Sequence, residues 1–281
     1  MEREVKVGET KARMISLTCG VLLFCANLII FVAAQIATEN HQNMAVVTAI
    51  ANGTIPLGLL GSYFIYKERL ALWQILGSLC CLTGILILSL SVLGKKETHV
   101  GAVLIAADVA EKEHTALRNM VIDAFIAMFM LGTKINCAKY CTKIISSLSF
   151  FKYNMVMDFL CGVFIIIMSA VSIIEIPLSL YVEAETLRSG FLIGTSCALA
   201  EIFVTLALNE GPTGPVTAVI SFNAPIVSVL IWVIQGIALT TLQIVGILLA
   251  FIGIIVVSLS NQPADSSSSG TNTRMMARQS K

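Results

Sequence analysis

Glu201 is an ionisable side chain deep within an apolar part of the chain, residues 190–208. A charge at the centre of a bilayer costs about 3 kcal/mol or more, so such a residue is seldom kept without a use. A carboxylate there could bind a cation, or carry a proton coupled to the movement of a solute. The structural alternative is an ion pair with Lys134, whose long stem could also snorkel to the membrane surface. Asp123 and Asp158 are predicted to lie near the ends of their stretches and to face the interface.

Two other apolar stretches each contain a proline with polar residues four and two positions before it. These residues are Asn52, Thr54 and Pro56 in one stretch, and Ser221, Asn223 and Pro225 in the other. A proline leaves the carbonyl four residues earlier without its helical partner, so we expect a kink at both places. The polar groups should face the interior of a bundle, where they either repair the kinked helix or contact a solute.

The remaining reactive groups form no recognisable site. The histidines His41, His99 and His114 lie in loops or turns, and no histidine is near Cys137 and Cys141, so we predict no metal and no cofactor. The apolar stretches contain no aspartate pair, no His-Glu-x-x-His and no Ser/His arrangement, so we do not expect an enzyme.

The composition is that of a membrane protein. Of the residues, 57% are hydrophobic and only 12% are charged, and the mean hydropathy is +0.88. One soluble core cannot hide so much apolar surface. The formal net charge of +1 gives no basic field, which argues against a nucleic-acid partner.

Eight apolar stretches are long enough to cross a bilayer as helices, which takes roughly 20 residues each. They are 14–35, 44–66, 70–93, 120–138, 153–174, 190–208, 216–235 and 242–259. Lysines and arginines cluster at the N terminus, in two turns and in the tail, and this bias predicts that both termini are cytoplasmic. Lys95, Lys96, Lys112 and Arg118, in the loop 94–119, oppose this trend. No signal for a particular membrane is readable.

Part of the chain is repeated. Residues 40–91 align on 209–260 without a gap, at an offset of 169 residues. The shared residues include Pro56 and Pro225, Gln74 and Gln243, Gly77 and Gly246, and Gly84 and Gly253. Internal duplication of membrane helices is typical of transporters.

The duplication predicts the topology. Stretch 14–35 corresponds to 190–208, five crossings later, and an odd number of crossings reverses the direction of the second copy. We therefore predict an all-α membrane protein with an inverted-topology repeat, three helices plus five. Its parts are an incomplete first repeat over 1–93, an extramembrane loop over 94–119, a second repeat over 120–260 and a disordered cytoplasmic tail over 261–281.

Small residues predict helix contacts. Gly77 and Gly84 lie on one face of their helix, as do their counterparts in the second copy, and we expect these helices to seal the edge of the bundle or to form a dimer contact. Gly190 and Gly194, with neighbouring serines, predict close packing of the stretch 190–208.

This order of features resembles the drug/metabolite transporter superfamily, and its EamA-like domain in particular. The most characteristic stretch runs from Ile55-Pro56 through Glu68-Arg69 to Gly77 and Gly84, whereas the second copy has Ile237-Ala238 in place of the acidic turn. The resemblance implies ten helices as five plus five, so the first two are missing here. A truncated sequence, a shorter splice form, a true eight-helix member and a homodimer that closes its own cavity are the alternatives.

We predict a multi-pass membrane carrier that moves a small organic solute by alternating access. The alternative is a truncated, non-transporting membrane scaffold or regulatory form. The candidate substrate-binding residues are Asn52, Thr54, Pro56, Lys134, Glu201, Ser221, Asn223 and Pro225. Because Lys134 is the one basic residue available for a polyanion, we expect a neutral or zwitterionic solute, or a weak cation if Glu201 faces the cavity.

Overall fold

The computed structural model describes residues 2–39, 44–67, 70–93, 105–171, 184–221, 223–236 and 239–260. These residues form α-helices joined by short turns, and no strand occurs among them. The helices are Glu2–Glu39 (α1), Met44–Ala51 (α2), Ile55–Tyr66 (α3), Leu72–Leu93 (α4), Ile105–Thr142 (α5), Ser147–Ala170 (α6), Ala184–Glu210 (α7), Thr213–Ser221 (α8), Asn223–Gln235 (α9) and Thr241–Leu259 (α10).

Seven helical stretches within the described ranges are long and apolar enough to cross a membrane. This confirms the prediction of an all-helical chain and fits a multi-pass membrane protein. The predicted eighth span, 216–235, overlaps α8 and α9, and residue 222 between them lies outside the described residues. The segment 105–119, predicted as part of a loop, is helical and continuous with α5. The predicted tail and the residues Glu68, Arg69, Ile237 and Ala238 lie outside the described residues.

The proline-containing stretch of the first copy is an interrupted helix, which goes further than the predicted kink. α2 ends at Ala51, and α3 begins at Ile55 with Pro56 in its first turn. Residues 52–54 form a turn in which the Thr54 amide donates to the Asn52 carbonyl over 2.8 Å. Proline is tolerated in a first turn because no intrahelical donor is needed there. In the second copy, Pro225 lies within Asn223–Gln235, and residue 222, between α8 and α9, lies outside the described residues, so the kink at Pro225 stays a prediction.

The repeated glutamines cap equivalent helices. The side-chain oxygen of Gln243 accepts from the backbone amide of Thr240 over 2.9 Å, and that of Gln74 accepts from the amide of Ala71 over 3.2 Å. Thr240 completes a capping box at the start of α10, because its hydroxyl accepts from the Gln243 amide. Both glutamine side chains are buried, so their retention in the two copies follows from the need to satisfy helix ends inside the bundle.

The repeated glycines bring α4 and α10 together in an antiparallel pair. A Cβ added to Gly84 would lie 2.6 Å from the Gly246 carbonyl oxygen, and one added to Gly77 would lie 2.8 Å from the Gly253 carbonyl oxygen. Between these points, the Cys81 thiol donates to the Ala250 carbonyl over 3.4 Å. Only glycine allows backbones to approach so closely. We expected these glycine faces to seal the edge of the bundle or to form a dimer contact. They instead contact each other within the chain.

Helix α1 packs along α5 and α6 through a seam of small residues. Ala12, Cys19, Ala26 and Ala33, at intervals of one heptad, are all buried. This spacing keeps one face of α1 against its neighbours over several turns. By contrast, the predicted close contact through Gly190 and Gly194 is wrong, because a Cβ added to either would meet nothing within 4 Å among the described residues.

The glycine contact generates a first prediction. Gly84→Ala should lower the free energy of unfolding by about 2 kcal/mol, because the new methyl group overlaps the α10 backbone, which cannot move alone. Unfolding of the purified protein by a denaturing detergent measures the change.

Gly162→Ala is the matched control. It lies within α6 and an added Cβ meets nothing within 4 Å, so we expect unchanged or slightly higher stability. Equal behaviour of the two variants would contradict the close contact of α4 with α10.

Candidate functional site

A cavity of about 360 Å³ lies among the membrane-spanning helices, next to the helix break at 52–54. It is within the range of small-molecule sites. Apolar side chains form much of its wall, and a small set of polar and charged groups interrupts them. The polar and charged lining residues are Asn27, Asn52, Thr54, Lys134, Asp158, Glu201, Thr205 and Asn223, together with Cys197.

Lys134 of α5 and Glu201 of α7 form an ion pair across this cavity. The ammonium nitrogen lies 2.5 Å from a carboxylate oxygen, and the side chains are 6% and 19% exposed. The predicted structural pairing is thus present, and Glu201 faces the cavity as well. Lys134 does not snorkel, because its charge is compensated inside the bundle. Neighbouring Asn136 holds α5 against α3 by donating to the Leu57 carbonyl over 3.1 Å.

Asp158 of α6 is a cavity residue that the sequence analysis placed wrongly. We expected it near the membrane interface, but α6 begins at Ser147, earlier than predicted, and so Asp158 lies near its middle. Its carboxylate is within electrostatic range of both Lys134 and Glu201. It forms no ion pair within 4 Å in the described part of the chain.

Asn52 and Thr54 line the cavity from the helix break at 52–54, and Asn223 lines it from α9. The Asn52 side-chain amide donates to the Thr48 carbonyl over 2.9 Å, which leaves its amide oxygen as an acceptor. Thr54 is 2% exposed, and its hydroxyl has no hydrogen-bond partner among the described residues. Asn223 is exposed at the first turn of α9.

Ser221 forms a hydrogen bond to the helix break at 52–54 and is not among the residues that line the cavity. Its hydroxyl donates to the Asn52 carbonyl over 2.7 Å. This is the carbonyl that Pro56 leaves without a helical partner, so the predicted repair of the freed carbonyl is confirmed here. Asn52 and Ser221 are also equivalent positions in the two copies, which means that the copies contact each other at this position.

Five of the eight predicted site residues therefore line the cavity: Asn52, Thr54, Lys134, Glu201 and Asn223. Pro56 and Ser221 are not among its lining residues, and the break at 52–54 lies just before Pro56. The side chain of Pro225 lies outside the described residues. Asn27, Asp158 and Thr205 are lining residues that the sequence analysis missed. Asn27 is a lone amide within an apolar helix and could have been found by the criterion used for Asn52 and Asn223.

No protein-family model, curated protein or solved structure matches the chain. The cavity itself is therefore the basis for a functional assignment. Among the described residues, no group of three or more His, Cys, Asp or Glu side chains could hold a metal ion. The arrangement is instead that of a polar pocket with a compensated charge pair, one further carboxylate and several uncommitted hydrogen-bonding groups.

The ion pair yields a second prediction. Lys134→Met and Glu201→Gln should each lower the free energy of unfolding by about 3 kcal/mol, because each leaves the partner's charge or polar group unpaired in the bundle. The double variant should lose much less than the sum of the two. Detergent-induced unfolding of the three variants measures this coupling.

The exposed pair of Glu9 and Arg13, 3.4 Å apart, is the control. Glu9→Gln and Arg13→Met should each change stability by less than about 0.5 kcal/mol. Additive effects of the Lys134 and Glu201 substitutions would show that the two side chains do not interact.

The contact between the copies yields a third prediction. Ser221→Ala should destabilise the protein by about 1 kcal/mol, since the Asn52 carbonyl loses a donor that water does not replace. Ser196→Ala is the matched control, because its exposed hydroxyl donates within α7, to the Leu192 carbonyl over 2.9 Å. The same unfolding measurement compares them, and an equal loss in both would argue against the bond between the copies.

Proposed function

We propose that the chain is a membrane carrier that moves a small organic solute by alternating access. The observation that carries this proposal is the cavity of about 360 Å³ at the helix break 52–54, lined by the Lys134–Glu201 pair and by Asn52, Thr54 and Asn223. Carriers bind their solutes near the middle of the membrane, at interrupted helices whose backbone and side-chain groups line the site. Ionisable groups at such depth are retained for a use.

Contacts between the two copies support an inverted-topology repeat as the framework of this carrier. In a two-fold arrangement, contacts between copies are reciprocal. Gly77 approaches Gly253 and Gly84 approaches Gly246, so each glycine meets the counterpart of the other. Asn52 contacts its own counterpart, Ser221, as expected for residues close to the axis.

In the mechanism we propose, the glycine contact holds α4 and α10 together, whereas the helix break allows movement. Glycine-mediated packing of α4 on α10 resists separation, because the helix backbones are in contact over two turns. The break at 52–54 interrupts the helical hydrogen bonds, and a break lets half-helices tilt independently. Rocking of one copy against the other about this break would open the cavity to alternate sides of the membrane.

The resemblance to the drug/metabolite transporter superfamily is part of the same proposal, as is the cytoplasmic location of both termini. A small solute, rather than a polyanion, suits a pocket whose one described basic group, Lys134, already pairs with Glu201. The non-transporting scaffold remains the competing function, and it predicts no flux.

Transport is the fourth prediction. Proteoliposomes with the purified chain should accumulate at least one component of a defined mixture of isotope-labelled amines, amino acids, sugars and nucleosides, as read by mass spectrometry of the lumen. Glu201→Gln and Asn223→Ala should lower that flux about tenfold per folded molecule, since each removes a polar contact at the cavity.

The controls change the same residue types away from the cavity. Glu210→Gln lies at the exposed end of α7, and Asn209→Ala precedes it; both should retain the flux of the unchanged chain. Absence of accumulation for every component, or equal flux in the cavity and control variants, would favour the scaffold.

A further inference from the structure

The charges that line the cavity do not balance. Lys134 and Glu201 neutralise each other at 2.5 Å, and Asp158 is the remaining charged group among the described lining residues. With its carboxylates ionised, the lining carries a net charge of about −1. An uncompensated carboxylate within a membrane-spanning helix is costly, so a positive charge brought by a ligand would be favoured there.

On this basis, and resting on the carrier function proposed above, we propose that the solute is an organic cation whose positive charge is held by Asp158. The proposal names a chemical class, a substituted ammonium group, and the residue that selects it. Glu201 is not the selecting residue, because its charge is already paired with that of Lys134.

Neutral acceptors at the cavity fit the same ligand. The buried Thr54 hydroxyl lacks a partner among the described residues, and the Asn52 amide oxygen is left to accept because its nitrogen donates to Thr48. Asn27 and Asn223 add two more amides to the lining. An ammonium group carries donors and no acceptor, so it complements oxygen acceptors beside a carboxylate.

The walls favour an organic ion over a bare metal ion. Leu23, Ile30, Leu131, Met155 and Val204 contribute apolar surface to the lining. Alkyl substituents on the nitrogen would bury against this surface, whereas a small inorganic cation would need several oxygen ligands around one point. No described group of His, Cys, Asp or Glu supplies such a cluster.

A matched set of probes tests the charge selectivity without requiring transport. Choline, 3,3-dimethylbutan-1-ol and 3,3-dimethylbutanoate have similar shapes and carry charges of about +1, 0 and −1 at neutral pH. Binding to the purified full chain in lipid nanodiscs is measured by calorimetry. Choline should bind at least about tenfold more tightly than the alcohol, and the carboxylate most weakly.

Variants assign the selectivity to Asp158. Asp158→Asn should abolish the difference between choline and the alcohol, because it removes the unpaired charge and keeps the side-chain shape. Asp123→Asn makes the same change on α5, at a carboxylate that does not line the cavity, and should retain the difference. Equal binding of the three probes, absence of choline binding, or unchanged selectivity in Asp158→Asn would overturn the proposal.

A second measurement uses a native thiol and no ligand. Cys197 is exposed and lines the cavity. Its labelling by a cationic trimethylammonium-ethyl and an anionic sulfonato-ethyl methanethiosulfonate is followed by peptide mass, with Cys197→Ala to confirm the site. The ratio of the cation's rate to the anion's should exceed that for a free thiol and should fall in Asp158→Asn. A ratio equal to that of the free thiol would argue against a negative cavity.

These outcomes separate the two proposals. If choline is preferred and Cys197 shows the cationic bias while no solute accumulates in proteoliposomes, the cation site stands and the carrier function fails. If proteoliposomes accumulate neutral solutes and neither assay shows a preference for positive charge, the carrier function stands and the cation site fails.

Discussion

Every backbone polar group within a bilayer needs a partner from the protein, because hydrocarbon offers none. Pro56 deprives the Asn52 carbonyl of its helical donor, and the Thr54 amide and the Ser221 hydroxyl of the other copy bond to it instead, over 2.8 and 2.7 Å. The Ser221 bond places the break at 52–54 beside α8. The cavity lies next to this break, and Asn52 and Thr54 of the break line it together with Asn223.

The charged groups depend on a second constraint, the long contact between α1 and α5. Small residues on α1 bring the two helices close and keep one face of α5 buried over several turns. Lys134 projects from this helix and is held beside α7, where Glu201 compensates its charge. Helix α6 adds Asp158 from the opposite wall. Three helices thus contribute one charge each, and the balance among them is set by packing at a distance from the cavity.

The sequence was sufficient to predict those cavity residues whose side chains are energetically unfavourable in lipid. A buried carboxylate, a lysine and polar groups before prolines are rare in apolar stretches, so Glu201, Lys134, Asn52, Thr54 and Asn223 stood out without a structure. It failed for Asp158, since depth was counted from a span boundary and α6 begins earlier than the hydropathy pattern indicates.

The helix that covers a given face was harder to predict than the face itself. The glycine spacing on α4 and α10 identified two smooth surfaces, but periodicity within one helix does not say what covers it. Gly190 and Gly194 of α7 suggested a similar surface, yet a Cβ added to either would meet nothing within 4 Å among the described residues. Gln74 and Gln243 were recognised as repeated but not as helix caps, because the cap depends on where each helix begins.

The glycine contact has a consequence for the origin of the fold. α4 and α10 share the same spacing of glycines, and each covers the other in reverse direction, so the surface is complementary to its own copy. A chain that contained a single copy would already have carried a face able to pair with an identical molecule inserted upside down. Fusion of two genes would then have converted an antiparallel homodimer contact into an internal one, and would have allowed the two copies to diverge in sequence, as at Glu68-Arg69 and Ile237-Ala238.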